Sequence, residues 1–441
     1  MSPTGGFIDY PARPDREKQR ATPVAYHHKA LFVAVMAAEY GHPDDWRPIV
    51  ERLLRWSLHT WDGHRHVGGI GRSSHALFGD ACLVASLILL GVSRPNHQES
   101  VLGRMLLGVL QRWQGQFRPD GFIALNPADL GTPGSGWDNY MHLSVYNAWT
   151  GAIVSWAQSK VPRADRTAVP IDVDSLQPSN AADPSMEQLR VGDPGATFAL
   201  VSGRGQPPQA FSRNEVELRY AGGVPLHLAW QGHVLCPAPV RVSREMLNST
   251  PALAGWTPLF SFRNHLFGLT DFDEPRIDQD KDYVRILLSG FAMPLTRPQE
   301  TGFTRRAIAS LDWRLLGGAL GRRAGLRRTA FPGIRGTLTY TISRDQPVLR
   351  QHLELTVDTE EEVTYMNPGG HAILTSRPPS FSLQLHHMTN RPKAFTEADL
   401  QSSACMPSAI ENAWGRCLPP SQLYKGLLTS ELRLTWAPGV K

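Results

Sequence analysis

A chain of 441 residues, 41% hydrophobic and 19% charged, is long enough for two domains and too apolar to be globally disordered. Its net charge of +5 favours an anionic ligand, but no zinc-finger spacing, RNP-like aromatic motif or basic heptad region accompanies it, so nucleic acid is not the expected partner. Four scattered cysteines, Cys82, Cys236, Cys405 and Cys417, make no CxxC pair, which argues against a disulfide scaffold or a cysteine-rich metal centre.

The chain opens MSPTGGFIDYPARPDREKQR, with charges and prolines where a secretory signal needs an apolar core. A cytoplasmic protein is the default expectation, and a secreted or periplasmic one follows if a leader has been removed. The longest apolar run, Ala76 to Val92, contains Asp80 and is short for a membrane span, so it reads as a buried helix and no membrane partner is expected.

Three phrases recur early: GGFIDYP, DGHRHVGG and DGFIALNP. Their glycines Gly6, Gly63 and Gly121 are 57 and 58 residues apart, a near-constant period that marks a repeated unit. The first phrase leads into TPVAYHHKALFVAVMAAEYG, with Thr22 fit to cap, Pro23 at the first helical position and Gly41 at the stop. PDDWRPIVERLLRWSLHTW follows as a second, more polar-faced helix. The next unit supplies SSHALFGDACLVASLILLG and HQESVLGRMLLGVLQRWQG, and the third supplies DNYMHLSVYNAWTGAIVSWA. A loop, an apolar helix and an amphipathic helix that covers it describe an incomplete α/α toroid of helical hairpins, occupying residues 1–160.

Residues 161–188 are rich in Pro, Asp and Ser and read as a linker. Residues 189–441 carry β-rich runs: TFALVSG, NEVELRYA, VPLHLAWQG, YVRILLSGFAM, GTLTYTISR, LRQHLELTVD and FSLQLHHMT. These predict an antiparallel β-sandwich, making the whole an α+β multidomain chain. RRAIASLDWRLLGGALGRRAGLRR interrupts them. Its seven arginines are fit to line an anionic groove, although a solvated loop or surface helix is the preferred reading.

The repeat predicts that successive loop-to-helix junctions lie side by side. There stand Tyr26, His27, His28 and Lys29; then Arg72 and His75; then Tyr140, His142, Tyr146 and Asn147. On a helix started at Asp138, Tyr140, Ser144, Asn147 and Gly151 share one face, while His142, Tyr146 and Trp149 share another. Tyr146 and Asn147, at the border, are therefore favoured, with packing as the competing role of each aromatic. Elimination from a uronic acid needs a base beside the carboxylate, donors that neutralise it, and an acid for the departing oxygen. Tyr, His, Asn and Arg supply these roles without a metal. A tyrosine base requires a neighbouring cation such as Arg72 to lower its pKa.

YHHK, GRSSHALFGDA and WDNYMHLSVYNAW, followed by a β-sandwich, resemble the heparinase II/III-like and alginate-lyase-like polysaccharide lyases, which join an α/α toroid to an antiparallel β-sheet domain. The resemblance implies β-elimination on a uronic-acid-containing polysaccharide or oligosaccharide, with Tyr and His as base and acid and with Asn and His or Arg on the carboxylate. It implicates Tyr146, His75 or His27, Asn147 and Arg72, with Tyr140 as a further proton-transfer candidate. Tyr26, His28, Lys29 and His142 are candidate substrate contacts, as are His227 and His265 from the second domain.

A glycoside hydrolase would instead need two carboxyl groups across the bond, and Asp62, Asp120 and Asp138 stand near the expected rim. Asp62 and Asp120 precede Gly in turns, however, and Asp138 resembles an N-cap. A non-catalytic carbohydrate-binding protein is the third reading. HRH at His64 to His66 and the pair His386-His387 lack an HExxH-like carboxylate pattern and read as structural. GGIGRSS reads as a turn. No cofactor is required, and a structural divalent cation in the β-region stays compatible with the sequence.

Overall fold

A computed structural model of the chain describes residues 1–2, 5–8, 23–71, 73–93, 97, 99–127, 142–161, 176, 182–183, 188–191, 197–205, 215–230, 233–234, 239–273, 275–295, 303–320, 331–344, 348–357, 359, 362–368, 395–397, 410–412, 415–417 and 429–438. Five helices come first: α1 (Val24–Tyr40), α2 (Pro43–Thr60), α3 (Leu77–Leu89), α4 (Val101–Gly115) and α5 (Leu143–Lys160). Pro43 opens α2, where a missing N–H costs nothing, and Ser100 caps α4 by accepting from the Gly103 N–H at 3.0 Å. α3 lies between α1 and α5 and is buried along nearly its whole length; α2 covers α1 and α4 packs on α3. Among the described residues, two helical hairpins and a fifth helix form one packed layer. α5 begins at Leu143, and the expected start at Asp138 lies outside the described residues.

The second and third repeated phrases form two copies of one tight hairpin. In the second unit the Trp61–Val67 bridge is flanked by Asp62 N–H to His66 O at 3.0 Å and Gly68 N–H to Thr60 O at 2.9 Å. In the third, Phe117–Ile123 is flanked by Arg118 N–H to Phe122 O and Ala124 N–H to Gln116 O, both 2.8 Å. Gly63 and Gly121 each sit at φ 84°, a left-handed conformation that favours glycine, but at different places: Gly63 is the second residue after Trp61 and Gly121 the fourth after Phe117. The glycine spacing therefore does not mark equivalent positions, and the hairpins themselves recur after 117−61 = 56 residues.

Strands follow: β1 (Ala182–Asp183), β2 (Gln188–Val191), β3 (Thr197–Ser202), β4 (Glu215–Glu217), β5 (Pro225–Trp230), β6 (His233–Val234) and β7 (Val240–Ser243). After the short helix α6 (Arg244–Ser249) come β8 (Leu259–Phe262), β9 (His265–Gly268), β10 (Arg276–Gln279) and β11 (Tyr283–Pro294). α7 (Phe303–Leu315) precedes β12 (Phe331–Ser343), β13 (Val348–Val357), β14 (Val363–Tyr365), β15 (Phe395–Glu397), β16 (Ile410–Asn412), β17 (Gly415–Cys417) and β18 (Thr429–Pro438). One sheet runs β1-β2-β3-β5-β6, a larger one β15-β14-β8-β9-β11-β12-β13-β18 with β10 beside β11, and a small one β17-β16-β7-β4. Alternate residues of β11, from Val284 through Ile286 and Leu288, are buried, as a half-covered strand requires. They share one core with Phe198, Leu200 and Leu228 of the first sheet. The Tyr340 hydroxyl ties the layers by donating to Gly223 O at 2.7 Å.

Two features depart from the sequence expectation. The sheets are not wholly antiparallel, since β13–β18 and β14–β15 are parallel pairs. The segment read as a linker contributes β1 and places Leu176 in the helical core. FSLQLHHMT lies outside the described residues, as does the arginine-rich interruption from residue 321, whereas its first part lies in α7.

The helical layer and first sheet meet along a tight seam. Arg190 of β2 donates to the carbonyls of Leu58, His59 and Trp61 at 2.6, 2.9 and 3.0 Å, closing the C-terminal end of α2. At Gly68 an added Cβ would stand 2.7 Å from His227 Cβ and 2.8 Å from a Leu200 methyl, so only glycine permits this approach. No described helix is long and apolar enough to cross a membrane.

Candidate functional site

The chemistry-bearing residues at the three junctions recur for a structural reason. In each unit a side chain near the next helix start accepts the backbone N–H that follows the glycine loop. Phe7 N–H meets His27 Nδ1 at 3.3 Å, Val67 N–H meets His75 Nε2 at 3.1 Å, and Ile123 N–H meets Asn147 Oδ1 at 2.8 Å. His27 then directs Nε2 at Leu53 O and Ser57 Oγ, both 3.0 Å, and burial lowers its pKa to about 3. Asn147 Nδ2 donates to Ile123 O and Leu143 O, each at 2.9 Å, using both of its N–H groups. These bonds give His27 and His75, expected as proton-transfer residues, and Asn147, expected on the substrate carboxylate, a structural role. All three hold their loops to their helices.

Tyr26 and Tyr146 do come together. Their rings flank Phe78, at 6.0 and 5.7 Å between centroids, across α1, α3 and α5. Burial, with Tyr26 nearby, raises the Tyr146 pKa, so its hydroxyl is a proton donor at neutral pH and not the lowered-pKa base that elimination by tyrosine needs. Lys29, His142 and Trp149 are exposed on the same helical layer. Arg72, Tyr140 and Asp138 lie outside the described residues.

A second cluster sits deeper, in the seam. The Asp62 carboxylate accepts the His64 and His66 N–H groups at Oδ1, at 2.8 and 3.1 Å, and turns Oδ2 toward two imidazoles. His227 Nε2, from β5, is 3.2 Å away, and His66 Nδ1 is 3.6 Å away. Burial alone would raise the Asp62 pKa, but the hydrogen bond with His227 and the nearby His66 imidazole outweigh it and hold the carboxyl below its ordinary range. Burial lowers the His66 pKa despite Asp62, so its imidazole is neutral near pH 7. In the tautomer that carries its proton on Nδ1, facing Asp62, Nε2 is the basic ring nitrogen. The His66 side chain is 14% exposed while Asp62 and His227 are sealed, so His66 is the member that reaches solvent.

His75 stands 5.3 Å from His66 between ring centroids, and burial with Arg112 nearby holds its pKa well down. Arg112 of α4 pairs with buried Asp80 of α3 and donates to Arg65 O, bracing the loop that carries His66. Burial pushes the Asp80 carboxyl up, against the pull of Arg112. His28, buried beside His27, has neither ring nitrogen hydrogen-bonded among the described residues. His265 is exposed on the β8–β9 hairpin and takes no part in the seam; of the two second-domain candidates, His227 joins the cluster.

Sequence reasoning passed over Asp62 and His66 because an Asp-Gly turn explains itself by backbone chemistry, which Oδ1 does perform. The signal was available in the repeat. Aligned on their bridges, the two hairpins differ where Asp62 and His66 face Arg118 and Phe122, so the acid–imidazole pair belongs to one copy only. Among the described residues no group of three or more His, Cys, Asp or Glu is placed to hold a metal ion.

No protein-family model matches the chain, and no curated protein matches it. Among solved structures, a mutant of the heparan sulfate lyase HepC from Pedobacter heparinus aligns at 10% identity with a TM-score of 0.22. The alignment covers 73% of this chain and 44% of that one, so the chain spans less than half of that protein's length. A likeness of this depth carries no argument about activity.

Proposed function

We propose that the chain is a polysaccharide lyase that cleaves a uronic-acid-containing polysaccharide or oligosaccharide by β-elimination, with side chains moving the protons. The observation that carries this reading is the buried Asp62 carboxylate shared by His66 and His227, with His66 alone reaching solvent at the seam. Asp62 orients the imidazole and stabilises the imidazolium that forms when Nε2 takes the proton beside the substrate carboxylate. Tyr146, kept protonated by its burial, is suited to protonate the departing glycosidic oxygen. Lys29 and the Tyr26–Phe78–Tyr146 rings offer charge and stacking surface to an acidic sugar. The net charge of +5 suits such a polymer.

The hydrolase alternative finds less support among the described carboxylates. Asp62 is held by two imidazoles and two amides, Asp80 pairs with Arg112, and Asp120 pairs with Arg118 and accepts the Phe122 N–H. Incubation with a panel of uronate polymers should generate the ultraviolet absorbance of an unsaturated uronate. His66→Ala should abolish it, with about a thousandfold loss, and Tyr146→Phe should lower turnover about a hundredfold with little change in KM. Release of reducing ends without that absorbance would sink elimination. Full activity in His66→Ala would remove the seam from the chemistry.

A further inference from the structure

α7 presents a surface that the proposed chemistry does not use. Ile308, Leu311 and Leu315, spaced three and four residues apart, form one stripe along the helix and are 55, 56 and 76% exposed. Leu316 and Leu320 extend the apolar surface at 54 and 50%. The extension is built rather than frayed. The Asp312 carbonyl accepts the Leu316 and Gly318 N–H groups, and its buried carboxylate accepts the Leu320 N–H at 2.9 Å. Gly317 and Gly318, at φ 55° and 80°, turn the chain back so that Leu320 folds under the helix end.

Arg314 is exposed on the same helix, and the sequence around it carries charge of one sign. Arg305, Arg306 and Arg314 lie on α7, and Arg322, Arg323, Arg327 and Arg328 follow in the sequence, while buried Asp312 is the only acid from residue 303 to 330. Exposed aliphatic side chains in such numbers are unusual on a free surface and mark a contact. Aliphatic carbons offer no stacking face to a sugar ring, so an anionic polysaccharide would engage the arginines and leave the leucines in water. A second copy of the chain would bring two arginine-rich segments of like charge together. Apolar carbon bordered by cation fits an anionic bilayer surface, where the stripe enters the acyl boundary and the guanidinium groups stay among the phosphates.

We propose that α7 is a membrane-surface element that docks the chain on an anionic lipid bilayer, lying in the interface plane. This departs from the sequence expectation of no membrane partner, involves no spanning helix, and stands independently of the lyase reading.

Co-sedimentation of the full chain with vesicles tests it. Vesicles of equal parts phosphatidylglycerol and phosphatidylcholine should bind the chain, vesicles of phosphatidylcholine alone should bind at least tenfold more weakly, and added salt should weaken binding to the first. The double substitution Leu311→Glu and Leu315→Glu, at exposed positions, should lower binding at least tenfold while leaving the far-ultraviolet circular dichroism and urea midpoint unchanged. Equal binding to both vesicle types, or undiminished binding by the folded double variant, would overturn the proposal. So would absence of vesicle binding, whether the chain instead captures a soluble polyanion such as dextran sulfate or shows concentration-dependent self-association abolished by the same substitutions. If the double variant unfolds, Arg314→Glu replaces it, and unchanged binding to anionic vesicles then counts against the proposal.

Discussion

At the scale of single residues, burial holds three imidazoles of the helical layer neutral. Burial lowers the pKa of His27 to about 3 and holds those of His28 and His75 well below 6.5. Each therefore stays unprotonated in the folded chain while its unfolded counterpart takes up a proton below about pH 6.5. Stability contributed in this way is present above that pH and falls on acidification, by roughly 1.4 kcal/mol per pH unit for each group once it is fully protonated in the unfolded chain. Asp62, whose pKa is depressed, adds stability above about pH 4 that is lost as the pH falls further. Urea midpoints should thus decline from pH 7.5 through 6.5 to 5.5, before any carboxylate titrates. His28→Leu, which removes two buried nitrogens without hydrogen bonds, should leave stability at pH 7.5 equal or higher and make the decline shallower. A flat profile between pH 7.5 and 5.5 would show that these imidazoles are not held neutral.

At the scale of elements, the junction side chains explain how a loop and a helix become one unit. Asn147 satisfies both the N–H and the carbonyl of Ile123, so Asn147→Ala should cost roughly 1–3 kcal/mol in urea unfolding by leaving those groups without their partner. Asn147→Asp should lose the two donated bonds while keeping the accepted one, and should fall between wild type and alanine. Much of this level was legible in sequence. Pro43 opening α2 and the alternation along β11 act through local chemistry that a sequence displays, and so does the repeat. Its equivalent amides Phe7, Val67 and Ile123 are nonetheless 67−7 = 60 and 123−67 = 56 residues apart rather than 57 and 58, and α1 starts at Val24, one residue after Pro23. The recurrence of His and Asn at the junctions was legible too, but its meaning was not. A side chain that accepts a loop amide and one that grips a carboxylate need the same lone pairs and donors, and only the position of the loop separates the two roles.

At the scale of the whole molecule, the seam joins residues that local rules cannot connect. His227 reaches Asp62 across 165 positions, and Arg190 reaches Leu58 across 132. Nothing in VPLHLAW distinguishes His227 from His265 in SFRNHLF until the first sheet is laid against the helical layer. The parallel pairing of β18 with β13 was equally hidden, because register between strands so far apart depends on the fold that surrounds them.

The Arg190 clasp has a consequence in time. The carbonyls at the end of α2 belong to a helix that can form from local contacts, whereas the guanidinium that closes them arrives only when β2 is in place. A contact across this sequence separation is expected to form after the rate-limiting step, so Arg190→Met should leave the refolding limb of a chevron almost unmoved. It should accelerate unfolding about ten- to hundredfold, the equivalent of roughly 1.5–3 kcal/mol. Slowed refolding would instead place the clasp in the nucleus. On the late-forming account, one side chain that contributes little to how fast the chain finds its shape governs how long the helical layer and the sheet stay joined.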